Sequence, residues 1–116
     1  MTTTLPLTAD TTGACCGSVA HGAVDAAGAE QIARVFKALG DPTRVRLLSL
    51  IAASDDHEAC ICDLTEPVGL TQPTVSHHMK LLVDAGLATR EQRGRWAYYR
   101  VVEGALSAAA QSLVPR

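Results

Sequence analysis

Aromatic side chains are scarce in this chain of 116 residues, which has one Phe, one Trp and two Tyr. A core must therefore come from Leu, Val, Ile and Ala, which suits packed helices. No stretch approaches the roughly 20 apolar residues of a membrane span. The opening MTTTLPLTADTTGACCGS has no basic residue and no long apolar run, so no export signal is expected. A cytoplasmic location with reduced thiols follows, and it argues against reading the four cysteines as two disulfides. No second Cys-x₂₋₄-Cys or correspondingly spaced His pair completes a tetrahedral zinc ribbon or finger around Cys60-Ile61-Cys62. No glycine-rich anion loop surrounds any cysteine, which speaks against a thiol enzyme acting on phosphate-like anions. Neither His77 nor His78 neighbours a Ser or Cys as a catalytic pair would require, so no catalytic residues are assigned.

An overall basic excess is also missing, since the formal net charge is −2. The charge is nevertheless polarised along the chain. Residues 1–70 carry four Lys and Arg against nine Asp and Glu, net −5, while residues 71–100 carry five against two, net +3. Screening cuts interactions between exposed charges off beyond about 8 Å at physiological salt, so the local balance decides phosphate contact. An acidic body can carry a basic reading head.

The length allows one folded domain, expected over 28–116, preceded by a flexible arm over 1–27 that is rich in Thr, Ala and Gly and contains Cys15-Cys16. Ile32, Val35, Phe36 and Leu39 have helical spacing, predicting a helix from Ala29 to Leu39 that Gly40 ends. Asp41 and Pro42 start a second helix reaching about Ala53. Residues 54–59, SDDHEA, read as an acidic turn, and Glu103 to Leu113 as a last, alanine-rich dimerisation helix.

The most informative stretch runs from Asp63 to Val101. Leu64, Val68, Leu70, Val75, Met79 and Leu82 recur at helical intervals on both sides of Gly69, so two short helices can share one apolar seam, as a helix-turn-helix requires. In the second helix Thr71 is the expected side-chain cap, Pro73 fits the first turn and Gly86 is the stop. With Val75, Met79 and Leu82 facing the core, His77 and Lys80 point away and Thr74 and Ser76 flank them, while His78 lies nearer the core as a packing residue. Thr71, Gln72, Thr74, Ser76, His77 and Lys80 are thus candidate contacts to double-stranded DNA. After Gly86, Leu87 to Gln92 and Trp96 to Val101 read as strands joined by Arg93-Gly94-Arg95. This β-hairpin wing holds three of the four aromatics and four of the ten basic residues, and Arg93 and Arg95 at its tip are candidate phosphate contacts. The fold class expected is mainly α with a small β-hairpin: a winged helix-turn-helix.

The run TQPTVSHHMKLLVDAGL, followed by RGRWAYYRV and preceded by FKALGDPTRVRLLSL and ACICDL, resembles the ArsR/SmtB family of metal- and metalloid-sensing bacterial repressors over roughly residues 30–102. The resemblance implies a homodimer that binds a palindromic operator and releases it when a thiophilic ion binds. It implies no membrane partner and no small organic substrate. Members often have a Cys-Val-Cys-Asp-Leu box at the first DNA-binding helix, matched here by Cys60, Cys62, Asp63 and Leu64, with Ile61 in the Val position. One branch of arsenic sensors has a third cysteine shortly after, where this chain has Thr65. In cadmium and lead sensors, and in another arsenic branch, N-terminal cysteines reach this region, often in the partner subunit, a part that Cys15 and Cys16 can play. Zinc and nickel sensors place Asp and His ligands on the last helix, and none occurs between Glu103 and Arg116.

Cys15, Cys16, Cys60 and Cys62 are therefore the expected ligands, and thiolates select soft ions. As(III) is the expected inducer, with Cd(II), Pb(II) or Sb(III) as alternatives. His57 is a candidate fourth ligand for zinc. A repressor of the same fold that answers to oxidant through Cys60 or Cys62 remains the other reading.

Overall fold

A computed structural model describes residues 22–115, and Cys15 and Cys16 lie outside the described residues. The first helix, α1 (Ala26–Ala38), begins earlier than its apolar spacing predicts, because Asp25 caps it by accepting from the Gly28 N–H at 2.7 Å. The expected boundary at 27/28 thus falls inside α1. Helix α2 (Pro42–Ala53) starts as expected on Asp41, whose carboxylate accepts from the N–H groups of Thr43 and Arg44.

The expected acidic turn over 54–59 is only partly a turn. Residues Asp55–His57 form a 3₁₀ turn, in which Asp56 and His57 have positive φ, and Glu58–Cys60 then form a strand, β1. Three residues are too few to show a period of two, so only pairing with a distant strand reveals them. The helix pair follows as α3 (Ile61–Val68) and α4 (Gln72–Asp84), separated by Gly69 in the left-handed conformation at φ 69°. Glycine fits there because it has no Cβ to clash.

The wing consists of β2 (Ala88–Arg93) and β3 (Trp96–Val101), and the chain ends in α5 (Ala105–Gln111), shorter than the Glu103 to Leu113 predicted. Arg93 pairs with Trp96, so Gly94 and Arg95 alone make the hairpin loop. Gly94 has φ 63° and Arg95 is not among the positive-φ residues, the pattern of a type II′ turn. The sheet has one strand more than the hairpin expected: its order is β1-β3-β2, all antiparallel, with Cys60 opposite Tyr98 and Glu58 opposite Arg100.

The core is aliphatic. Leu47 and Ile51 of α2, Ile61 and Leu64 of α3, and Val75, Met79 and Leu82 of α4 are essentially without exposure, and Tyr99 closes the sheet side. The predicted seam is thus the centre of the molecule. Arg44 locks α2 to α4: one guanidinium N–H meets His78 Nδ1 at 3.2 Å, and Nε donates to the Ala38 carbonyl. Half-buried His78 is accordingly a packing residue. Phe36 on α1 and Leu106 on α5 stay exposed, as do Leu113 and Val114 just beyond α5.

Candidate nucleic-acid interface and thiol pair

The N-terminal half of α4 presents Thr71, Gln72, Thr74 and His77 to solvent, with Ser76 half-buried beside them. The face follows from the seam, because burying Val75, Met79 and Leu82 turns these residues outward. Thr71 departs from its expected role. It occupies the cap position but makes no side-chain cap bond, and its hydroxyl instead meets that of Thr74 at 3.0 Å. The first-turn N–H groups of α4 are thereby left for an outside acceptor, and a phosphate oxygen is well matched to them. Lys80 is exposed and forms an i, i+4 ion pair with Asp84 at 2.8 Å. Such a surface pair contributes little and can open.

On the wing, the two arginines expected to touch phosphate are placed differently. Arg95 sits in the loop and has no side-chain hydrogen bond or ion pair among the described residues. Arg93 is occupied: its guanidinium lies 4.4 Å above the Tyr98 ring, donates to both Glu58 carboxylate oxygens and pairs with Glu91 at 2.6 Å. Arg100 donates to the Asp56 carbonyl at 2.8 Å and reaches the same Glu58 at 3.3 Å. Hydrogen bonding from Arg93 holds the Glu58 carboxyl below its ordinary pKa despite partial burial. A lowered carboxylate pKa stabilises the fold at neutral pH, and that contribution is lost as pH falls through the lowered value. Sequence reading missed Glu58 because its partner Arg93 is 35 residues away and no local pattern links them.

The thiols stand where β1 meets α3. Cys60 is the last residue of the strand and also the N-cap of the helix, its sulfur accepting from the Cys62 N–H at 3.4 Å. Cys60 is buried at 4% exposure, whereas Cys62 is exposed. The Cys62 thiol is pushed up in pKa by its hydrogen bond to the Cys60 sulfur, then by desolvation and by the negative charge of Cys60 and Asp63. His57 Nδ1 lies 2.9 Å from the Ala52 carbonyl, so that nitrogen is engaged with the backbone. Among the described residues no group of three His, Cys, Asp or Glu is arranged to hold a metal ion. Cys60 and Cys62 are the two cysteines among the described residues.

Comparison with known proteins decides the family. The profile of the bacterial regulatory protein, arsR family, matches residues 41–90. An uncharacterized HTH-type transcriptional regulator of Methanocaldococcus jannaschii is 38% identical over 74 residues, covering 64% of this chain and 81% of that protein. The arsenical resistance operon repressor of Staphylococcus aureus is 36% identical over 84 residues, covering 72% of this chain and 78% of the repressor. The chain belongs to the arsR family.

Solved structures agree with this membership. The homodimeric winged helix-turn-helix DNA-binding domain of a Mycobacterium bovis protein superposes with TM-score 0.64 at 29% identity, over 76% of this chain and 80% of that one. The antimony-specific repressor AntR superposes with TM-score 0.63 at 28% identity, over 78% and 80% of the two chains. As an arsR-family protein the chain is a DNA-binding transcriptional regulator with a winged helix-turn-helix fold and not an enzyme. Among the described residues no helix is long and apolar enough to cross a membrane.

Residue roles on this interface are separable by measurement. Arg95→Ala is expected to weaken binding to specific and random duplexes alike, and changes at Thr74, Ser76 or His77 to alter base preference, if the loop meets phosphate and α4 meets base edges. Fluorescence anisotropy on both kinds of duplex checks this, and an Arg95→Ala effect confined to specific DNA contradicts it.

Proposed function

We propose that this arsR-family protein is a cytoplasmic, metalloid-responsive repressor, a homodimer that binds an inverted repeat in operator DNA and leaves it when As(III) is bound by cysteine thiolates. The half-sites lie about one helical turn, ~34 Å, apart or a multiple of it, since a two-fold dimer reads a two-fold site. The exposed apolar residues Phe36, Leu106 and Leu113 supply the surface such a dimer buries. Thr71, Gln72, Thr74, Ser76, His77 and Lys80 meet the major groove and Arg95 meets phosphate. Arg93, first expected to do the same, holds the wing.

The observation that carries this reading is the position of Cys60, which ends β1 and begins α3 while pairing with Tyr98 of the wing. An ion drawing on its sulfur acts on the first helix of the DNA-binding pair and on the wing strand together. Cys62 gives the second sulfur, and Cys15 and Cys16, which precede α1, bring the donor set to the three sulfurs that As(III) prefers. A coupling of about 1–3 kcal/mol is typical of such switches. It requires the ion to prefer the DNA-free arrangement, because an ion bound equally in both would shift nothing. The names of the arsenical and antimony repressors among its relatives support the choice of metalloid. Cd(II) or Pb(II) held by the same thiolates is the second reading, favoured by the all-sulfur donor set.

Parallel titration of a protein–operator complex with As(III), Cd(II) and peroxide tests this. Release by As(III) at the lowest concentration is expected. Release by peroxide alone would replace ion sensing with thiol oxidation.

A further inference from the structure

We propose that Glu58 positions the wing for DNA: its carboxylate holds Arg93 and Arg100 against the sheet and leaves Arg95 as the cation that the hairpin tip offers to phosphate. The register makes this possible. Glu58 of β1 lies directly opposite Arg100 of the central strand, and Tyr98, two residues back on that strand, lies opposite Glu91 of β2. Alternation along each strand puts Glu58, Arg100, Tyr98, Glu91 and Arg93 on one face. Arg93 reaches across this face, over the Tyr98 ring, to close a fork on Glu58 from the far strand.

Most surface ion pairs contribute little, because two long side chains must be ordered for one weak attraction in water. This one differs in geometry. The pair is bidentate, its carboxylate side chain is only 18% exposed, and the Arg93 stem is already fixed on Tyr98. Arg100 shares the same carboxylate, so one acidic side chain orders two guanidinium groups. Arg90 is bonded to Gln92, which in turn donates to the Gly94 carbonyl and firms the loop beneath Arg95. A guanidinium bound to a carboxylate gains no counterion release from phosphate unless the pair opens first. Of the wing's four arginines, Arg93 and Arg100 are thus held by carboxylates, Arg90 keeps its charge on the neutral Gln92 within β2, and Arg95 alone carries charge at the tip.

The inference rests on the wing touching DNA and is independent of the ion sensed. It is tested with the full chain, without metal, on a random-sequence duplex, by measuring how log K falls with log salt concentration. Glu58→Gln frees up to two arginines, so the slope is expected to steepen by about 0.9 per phosphate gained, and affinity at low salt to rise. An unchanged or shallower slope overturns the proposal. Should Glu58→Gln fail to melt cooperatively, Arg93→Ala decides instead: it is expected to reduce the slope by less than half as much as Arg95→Ala, and an equal reduction overturns the proposal. If Arg95→Ala itself leaves the slope unchanged, the wing does not reach phosphate and the reading beneath the inference fails as well.

Discussion

Cys60→Ser is expected to give a protein that folds and binds operator normally but has lost most of its response to As(III). Serine is a favoured N-cap, so the hydroxyl takes over the bond from the Cys62 N–H and α3 keeps its start. What disappears is a soft thiolate at the junction of β1 and α3. A coupling of about 1–3 kcal/mol corresponds to a drop in operator affinity of roughly 5- to 150-fold on ion binding, and this drop should shrink towards none. Near-ultraviolet thiolate-to-arsenic absorbance reads ligation, and anisotropy on operator DNA reads release. A Cys15→Ser/Cys16→Ser double variant provides the contrast: it should keep operator affinity, lose absorbance and need far more As(III). Normal absorbance and normal release in the double variant would confine the site to Cys60 and Cys62. A normal response in Cys60→Ser would remove Cys60 from the site.

Leu64→Ala should have the largest effect on stability. Leu64 is 1% exposed and ties α3 into the core that also holds Val75, Met79 and Leu82 of α4. Truncating a buried leucine costs about 2–5 kcal/mol, from lost transfer free energy and the cavity left behind. The neighbours here are helices anchored on several sides, which limits collapse into the space. Urea unfolding at fixed protein concentration measures the loss, the concentration being held because the proposed dimer would add its own stabilisation. A loss below about 1 kcal/mol, the average for point substitutions, would mean that the seam does not carry the fold. Operator binding should fall with stability, since α3 and α4 support each other.

Local signals made the DNA-reading half legible. Val75, Met79 and Leu82 share one face of α4 because a helix repeats every 3.6 residues, and that alone turned Thr74 and His77 outward. Asp41 before Pro42, Gly69 between the helices and Gly94 in the loop each act through neighbours within a few residues. The departures have two different causes. Thr71 meets the Thr74 hydroxyl in place of the expected capping bond, a choice between two nearby partners that residue type does not settle. Strand β1 has the local sequence of a turn, because its three residues are defined by hydrogen bonds to β3 and not by any pattern of their own.

The sequence by itself determined the helix pair, the hairpin, the aliphatic core and the resemblance to a regulator family, because each rests on periodicity, turn chemistry or an ordered run of motifs. It also marked Cys60 and Cys62 as chemistry-bearing. Only the tertiary structure decided that β1 joins the sheet, that Cys60 is strand end and helix cap at once, and that Arg93 belongs to Glu58 and Tyr98 while Arg95 remains open to solvent. The physical reason is distance along the chain. An arginine at a hairpin tip has the same local sequence signature whether or not a carboxylate 35 residues away meets it, and only folding brings the two together.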